Sequence, residues 1–228
     1  QVPTTGQSGI TYLTKGGQAP DPCIVCLWHF DDNADDNSGY DNHGTVNGAN
    51  YVDGKFSKAL KFDGVNDYME VPDSASLDIT GAITVECWVK SEQAAYQTLI
   101  SKWSAVDNQR SYLVALTADN KVRFWITEGG TWGTLKELTS SGTIGTEWTH
   151  IAATYDGTKM NIYINSVEDL SQVTTTVPIF TGTAPLMFGV HPAYMTHGWV
   201  PGYFKGILDE VHIWNRALTD SEIAYNYI

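Results

Sequence analysis

The residues that could do chemistry gather toward the two ends of this chain. An acidic stretch, "DDNADDNSGYDNHG" at residues 31–44, follows the first apolar run, and the pair Asp209-Glu210 opens the last one, "LDEVHIW". A solvent-facing strand needs no acidic pair at its start, whereas a pair that closes a fold or holds a cation has a reason to be there. Asp63 and Asp67 in "FDGVND" form a rival pair that hairpin-turn chemistry explains. Nucleophile and metal-hydrolase signatures are missing: there is no Gly-x-Ser-x-Gly elbow and no His-Glu-x-x-His helix. The six histidines are scattered, and His29, His150 and His212 fall within strand runs, where packed or edge positions account for them.

Three cysteines are too few for a disulfide framework. Cys23 and Cys26 sit three apart in a strand-like run, so their sulfurs face opposite ways, which excludes a chelating or redox pair. Cys87 shares a face with Ile83, Val85 and Val89 and reads as a small buried hydrophobe. A Cys26–Cys87 or Cys23–Cys87 bridge stays open, and nothing in the spacing selects one.

Aromatic residues supply the other candidate chemistry, because rings stack on the C–H faces of sugars while Asn, Asp, Gln and Arg satisfy the hydroxyls. Trp28, Trp88, Trp125, Trp148 and Trp214 lie in strand runs and read mostly as core, with Trp88 and Trp214 on alternate, outward-pointing positions. Trp103, Trp132 and Trp199 lie in or beside loops. The stretch "VHPAYMTHGWVPGYF" carries Tyr194, His197, Trp199 and Tyr203 among Pro and Gly that stiffen the backbone. Trp132 in "TEGGTWGTLKE", and Trp103 with Arg110 in "KWSAVDNQRSY", supply two further loops. A ligand site at Tyr194, His197, Trp199, Tyr203, Trp132, Trp103 and Arg110 is expected if these loops converge, the alternative being that the aromatics cover an edge strand.

The elements that must position these residues are almost all strands. Residues 1–20 are rich in Gly, Thr, Gln and Pro and read as a linker or leading segment. From Cys23 onward, eleven short apolar runs alternate with turn signals such as "DGVND", "TADNK" and "YDGTK", which predicts a β-sandwich or jelly roll over residues 21–228. Thr219 and Glu222 make a capping box, so a short C-terminal helix is expected from Asp220. The 228 residues show no internal repeat and no second domain. The net charge of −13 argues against nucleic acid and anionic membranes, and no apolar run approaches the ~18 residues of a membrane span.

Three stretches carry a resemblance. "GKFSKALKFDGVNDYMEVPDSASLDITGAITVECWVK", "EWTHIAATYDGTKMNIYINS" and "YFKGILDEVHIWNRALTDSEI" resemble the opening, the central hairpin and the closing strand and helix of laminin-G-like domains. These domains belong to the concanavalin A-like lectin/glucanase superfamily, and "LWHFDDNADDNSGYDNHGTV" is similar to their first strand and acidic loop. The similarity covers roughly residues 24–228. One departure is Asn165-Ser166, where the family usually has Asn-Gly.

The resemblance implies an all-β, two-sheet antiparallel jelly-roll sandwich in which the first strand pairs with the last. That pairing would bring Asp31 beside Asp209, and two carboxylates in contact repel unless protonated or bridged. It further implies a structural calcium, with Asp31, Asn42 and Asp209 as ligands and the carbonyls of Gly44 and Asp209 as additional ones; calcium accepts such irregular oxygen sets.

Jelly-roll glucanases of similar fold carry Glu-x-Asp-x-Glu-type strands that put all the acids on one face. No such run occurs, and the adjacent acids of "ILDEVHI" are expected on opposite faces. Alginate lyases of similar topology need Arg-x-Glu and Gln-x-His strands, also absent.

The expectation is therefore a secreted or cell-surface, non-catalytic module of a larger chain, calcium-stabilised and recognising a polysaccharide or other glycan. The alternative is a protein-binding adhesion or spacer domain.

Overall fold

The computed structural model describes residues 21–190 and 202–228. Among these residues the first strands are β1 (Ile24–Trp28), β2 (Thr45–Asn47), β3 (Asn50–Asp53), β4 (Lys58–Asp63) and β5 (Tyr68–Val71). The middle of the chain forms β6 (Ile83–Ser91), β7 (Gln97–Ser104), β8 (Gln109–Leu116), β9 (Lys121–Thr127) and β10 (Leu135–Thr143). Then come β11 (Thr149–Tyr155), β12 (Lys159–Ile164), β13 (Val167–Thr174), β14 (Leu186–Phe188), β15 (Lys205–Trp214) and the helix α1 (Asp220–Tyr227).

They build two antiparallel sheets. One has the order β13-β12-β11-β6-β15-β4-β3, with β1 also paired to β15; the other runs β10-β9-β8-β7-β14-β5-β2. Alternation explains the sandwich. In β6, Ile83, Val85, Cys87 and Val89 enter the core between the sheets, where they meet Tyr112, Val114, Phe124 and Ile126 of the other sheet. The expected jelly-roll sandwich is present, and so is the C-terminal helix. Its Thr219 side chain accepts from the Glu222 backbone N–H while the Glu222 carboxylate accepts from Thr219 N.

First and last strands pair as expected, with Ile24 opposite Trp214 and Trp28 opposite Val211. β4 uses the same edge of β15 further back, with Leu208 opposite Leu60. Asp209 and Glu210 thus fall at the seam where β15 changes partner from β4 to β1. A bulge sits there: the register against β6 shifts between Asp209 and His212, and Glu210 takes φ +47°. Leu208, Val211 and Ile213 all stay in the core, so the extra residue turns both acids away from it. The expectation of opposite faces, which assumed an unbroken strand, is therefore corrected.

The outer face of this sheet is sealed by a charged network beneath α1. Glu86, fully buried, accepts from His212 Nδ1 (2.9 Å), Asn226 Nδ2 of the helix (2.6 Å) and Trp214 Nε1 (3.3 Å). Glu210 faces His29 at 2.8 Å and the far nitrogen of His212 at 3.5 Å. Burial opposes charge on His212, but its bonds to Glu210 and Glu86 outweigh that and lift its pKa to about 9. Burial pushes neighbouring His150 down to about 4. Tyr227 stacks on Trp88, whose other neighbours include Phe56 and the Lys55 ammonium, 4.2 Å from the ring centroid. Trp88 and Trp214 do leave the core face, yet the helix and the charged network keep them covered.

The three cysteines are free, so neither bridge considered above forms. The Asn165-Ser166 turn survives the missing glycine: both residues adopt positive φ, +50° and +63°, as a two-residue hairpin requires. Placing Ser there costs roughly 1–2 kcal/mol relative to Gly.

Candidate functional site

The outer face of the β7–β10 sheet carries an aromatic cluster of its own, separate from the inter-sheet core. Trp103 of β7, Leu113 and Ala115 of β8, and Trp125 of β9 form it, with Tyr96 and Leu135 packed against them. Trp103 and Trp125 lie 5.5 Å apart between centroids. Trp132, on a helical turn joining β9 to β10, stands edge-on to Trp125 at 5.5 Å and remains 52% exposed. An indole held on one side by a buried ring and open on the other is a stacking platform.

Local chemistry explains how the loops hold this shape. Arg110 ties two of them together, donating to Asn108 Oδ1 and to the carbonyls of Gly130 and Ala105. Gly130 must be glycine, since its φ is +69° and a Cβ would lie 2.0 Å from the Asn108 oxygen. Arg123 lies over Trp125 at 5.6 Å and pairs with Glu137 at 3.3 Å, both directly beside the ring on the β9–β10 hairpin.

Of the expected ligand residues, Trp103, Trp132 and Arg110 are brought together here, but in different roles. Trp103 is buried as a support and is part of β7, because that strand continues past a register shift at Lys102. Arg110 is a loop tie, and Trp132 is the exposed member. Tyr203 is half-buried beside Gly202, whose carbonyl accepts from Thr98 N of β7 and whose Cα abuts the Tyr96 ring. Tyr194, His197 and Trp199 lie outside the described residues. On their near side, Val190 O accepts from Ser101 of β7, so both flanks of that stretch attach to β7. Trp125, Arg123 and Glu137 were missed; the alternation of "KVRFWIT" against "LKELT", which puts Arg, Trp and Glu on one face, was the signal available.

The four expected calcium ligands divide into two places. Asp31 accepts from Lys58 N and Asp209 from Phe56 N, so both carboxylates converge on the turn joining β3 to β4. Burial lifts the Asp209 pKa to about 7, in spite of the backbone donors it accepts from. Asn42 is elsewhere. Its Nδ2 donates to Val25 O and Ser76 Oγ, and its Oδ1 accepts from Ser74. Val25 lies between Ile24, opposite Trp214, and Cys26, opposite Ile213, ~13 Å of strand from Asp209. Gly44 packs against Met69 and donates to Ala34 O. Asn42 and Gly44 therefore serve the loop and do not join the acidic pair as the resemblance implied.

The loop is organised by a residue not singled out, Asp36. It accepts from Leu27 N, Ser38 N, Ser38 Oγ and Asn42 N. Among the described residues no three His, Cys, Asp or Glu side chains gather in a way that could hold a metal ion. Asp63 and Asp67 are accounted for by their turn, Asp63 accepting from Val65 N and Asn66 N and Asp67 from Asp63 N.

The chain belongs to a laminin-G-like family of the concanavalin A-like lectin/glucanases superfamily, whose model matches residues 63–224. A solved structure similar to it is domain 4 of AbnA, a GH43 extracellular arabinanase from Geobacillus stearothermophilus, in complex with arabinotriose. It is 25% identical with a TM-score of 0.71, over 90% of this chain and 98% of that one. The binding domain of Paraclostridial Mosquitocidal Protein 1 matches at 19% identity and TM-score 0.71, and that of botulinum neurotoxin DC, in complex with SialylT, at 13% and 0.69. Each covers 90% of this chain, which spans only 51% of those toxin domains. These two show the fold alone. No curated protein matches.

Proposed function

We propose that this chain is a non-catalytic glycan-binding module that works at the outer face of the β7–β10 sheet. The observation that carries the reading is Trp132, half-exposed and propped edge-on against the buried Trp125–Trp103 pair. A sugar ring stacked there buries apolar surface against a ring whose position is already fixed, so little ordering cost opposes binding. The arabinotriose complex of the similar AbnA domain supports the ligand class. A secreted or cell-surface setting, within a larger chain, goes with the same reading, as does a contribution from Tyr194, His197, Trp199 and Tyr203.

Calorimetric titration with arabinotriose, alongside affinity electrophoresis on a polysaccharide panel, tests this. Trp132→Ala should lose at least about tenfold in affinity with the fold intact. Equal binding by wild type and variant overturns the site. Binding to no glycan turns the reading toward a protein partner, and release of reducing or unsaturated sugar overturns the non-catalytic assignment.

A structural calcium at the Asp31–Asp209 end is a separate part of the proposal. What supports it is two carboxylates on one turn, one of them buried with a raised pKa. Melting should shift upward with calcium and back with chelator. An unchanged melting temperature removes the ion and leaves the glycan site standing.

A further inference from the structure

We infer that the site takes a neutral glycan through two neighbouring hydroxyls held by Arg123 and Glu137, and discriminates against anionic sugars such as sialosides; this rests on the glycan-binding reading above. Arg123 and Glu137 flank Trp125 on its own sheet face, Glu137 directly opposite the ring and Arg123 two residues along β9. Trp132 touches Trp125 from the loop end of the same hairpin. A ligand stacked on Trp132 and continuing along the hairpin therefore reaches the ion pair next.

The pair has bonding capacity left. Arg123 uses Nε, donating to Thr139 Oγ1 at 3.2 Å and lying 3.3 Å from Glu137 Oε1, while its two terminal amino groups donate to none of the described residues. Glu137 Oε1 also accepts from Thr139, whereas Oε2 has no donor among the described residues. Both side chains are partly open, 26% and 40% exposed. A planar fork of donors beside a free carboxylate oxygen matches two adjacent hydroxyls, one accepting from the fork and the other donating to the carboxylate.

The charge balance sets the class. Glu137 neutralises Arg123, and the other guanidinium nearby, Arg110, is committed to Asn108, Gly130 and Ala105. Lys136 alternates onto the opposite face of β10 from Glu137. Exposed Asp107 and Glu128 lie on the flanking loops, and the whole chain carries −13. Lys121, on the face of Arg123 further along β9, pairs with Asp119 at 3.6 Å, so a carboxylate on the ligand would meet no unpaired cation among the described residues here and several like charges, a repulsion that works as specificity.

Arabinotriose as the neutral probe and sialyllactose as the anionic one test this, with folding checked by melting. Wild type should bind arabinotriose at least about tenfold tighter than sialyllactose. Arg123→Ala should weaken arabinotriose at least about tenfold and Arg123→Lys by less, because an ammonium lacks the fork. Glu137→Gln keeps the acceptor but frees the Arg123 charge, so the gap between the probes should narrow several-fold. Unchanged arabinotriose affinity in Arg123→Ala, an unchanged gap in Glu137→Gln, or tighter sialyllactose binding by wild type overturns the inference. If Trp132→Ala still loses arabinotriose in that case, the glycan-binding reading stands without it.

Discussion

The two outer faces of the sandwich use similar residues to opposite ends. On the β6–β15 face, aromatic rings, histidines and carboxylates lie under α1, and each carboxylate of the network is bonded to a histidine. On the β7–β10 face, tryptophans and an Arg–Glu pair meet solvent, with Trp132 half-exposed and the terminal donors of Arg123 unused among the described residues. The first arrangement is closed to solvent, and the bonds of Glu86 Oε1 hold the chain's end to the sheet. The second keeps capacity in reserve, which is what a binding surface needs and a structural face does not.

The sharpest way to break that contrast is Glu86→Ala. It removes the acceptor that His212, Trp214 and Asn226 share and one of the two carboxylates that pair the buried His212 charge, a loss of about 3–5 kcal/mol. For a chain of this length that lowers the melting temperature by at least about 6 °C. Urea unfolding that matches wild type would show that the network holds nothing. Trp132→Ala is the counterpart on the other face. It should cost affinity and leave stability within about 0.5 kcal/mol, and a variant that unfolds early would make Trp132 a structural residue.

The pH dependence of folding separates the faces next. His212, lifted to about 9, is protonated more readily folded than unfolded. Its contribution is complete below its ordinary value near 6.5 and fades as pH rises from there through 9. His150, lowered to about 4, works the other way: its contribution is complete above 6.5 and is lost as pH falls toward 4. The two histidine contributions together should therefore peak near pH 6.5, while Asp209, raised to about 7, adds stability that is complete below its ordinary value and fades as pH rises through 7. The groups facing His212 are Glu86 of β6, Glu210 of β15 and, through them, His29, His150 and Asn226. Denaturant titration from pH 4.5 to 9.5 measures both limbs. His212→Gln should flatten the alkaline one, and parallel curves for variant and wild type would refute the assignment.

How much of this was readable in advance follows from the range over which each signal acts. Strand alternation is local, so the sandwich and the capped helix were legible from runs such as "ITVECWVK" and from Thr219 with Glu222, whereas the first-to-last pairing came only with the family resemblance. Contacts that span the chain were not. Glu86 and His212 are separated by 126 residues, and nothing near either announces the other. The bulge at Glu210 was equally hidden, since no glycine marks its positive φ, and it reversed the inference about which faces the two acids occupy. In the acidic loop, the aspartates look alike in sequence, and only the backbone path makes Asp36 the one that gathers four donors. Trp132 was recognisable because a tryptophan among glycines has few places to hide. Arg123, Trp125 and Glu137 were passed over because strand tryptophans were read as core.

The smallest test sits where the covered face meets solvent. Lys55 lies 4.2 Å above the Trp88 ring, with Phe56 beside it and Tyr227 stacked on the same indole. If α1 is held mainly by the buried charges, this outer clasp contributes only its own cation–π attraction, about 0.5–1 kcal/mol, and Lys55→Ala lowers the melting temperature by roughly 1–4 °C. Raising the salt concentration should shrink the difference, because the ammonium is near the surface. A larger loss, comparable to that of Glu86→Ala, would mean that the helix is fastened from outside through Trp88 and Tyr227. The network beneath would then be a consequence of helix docking, and the two faces would differ only in which of them the chain's end happens to cover.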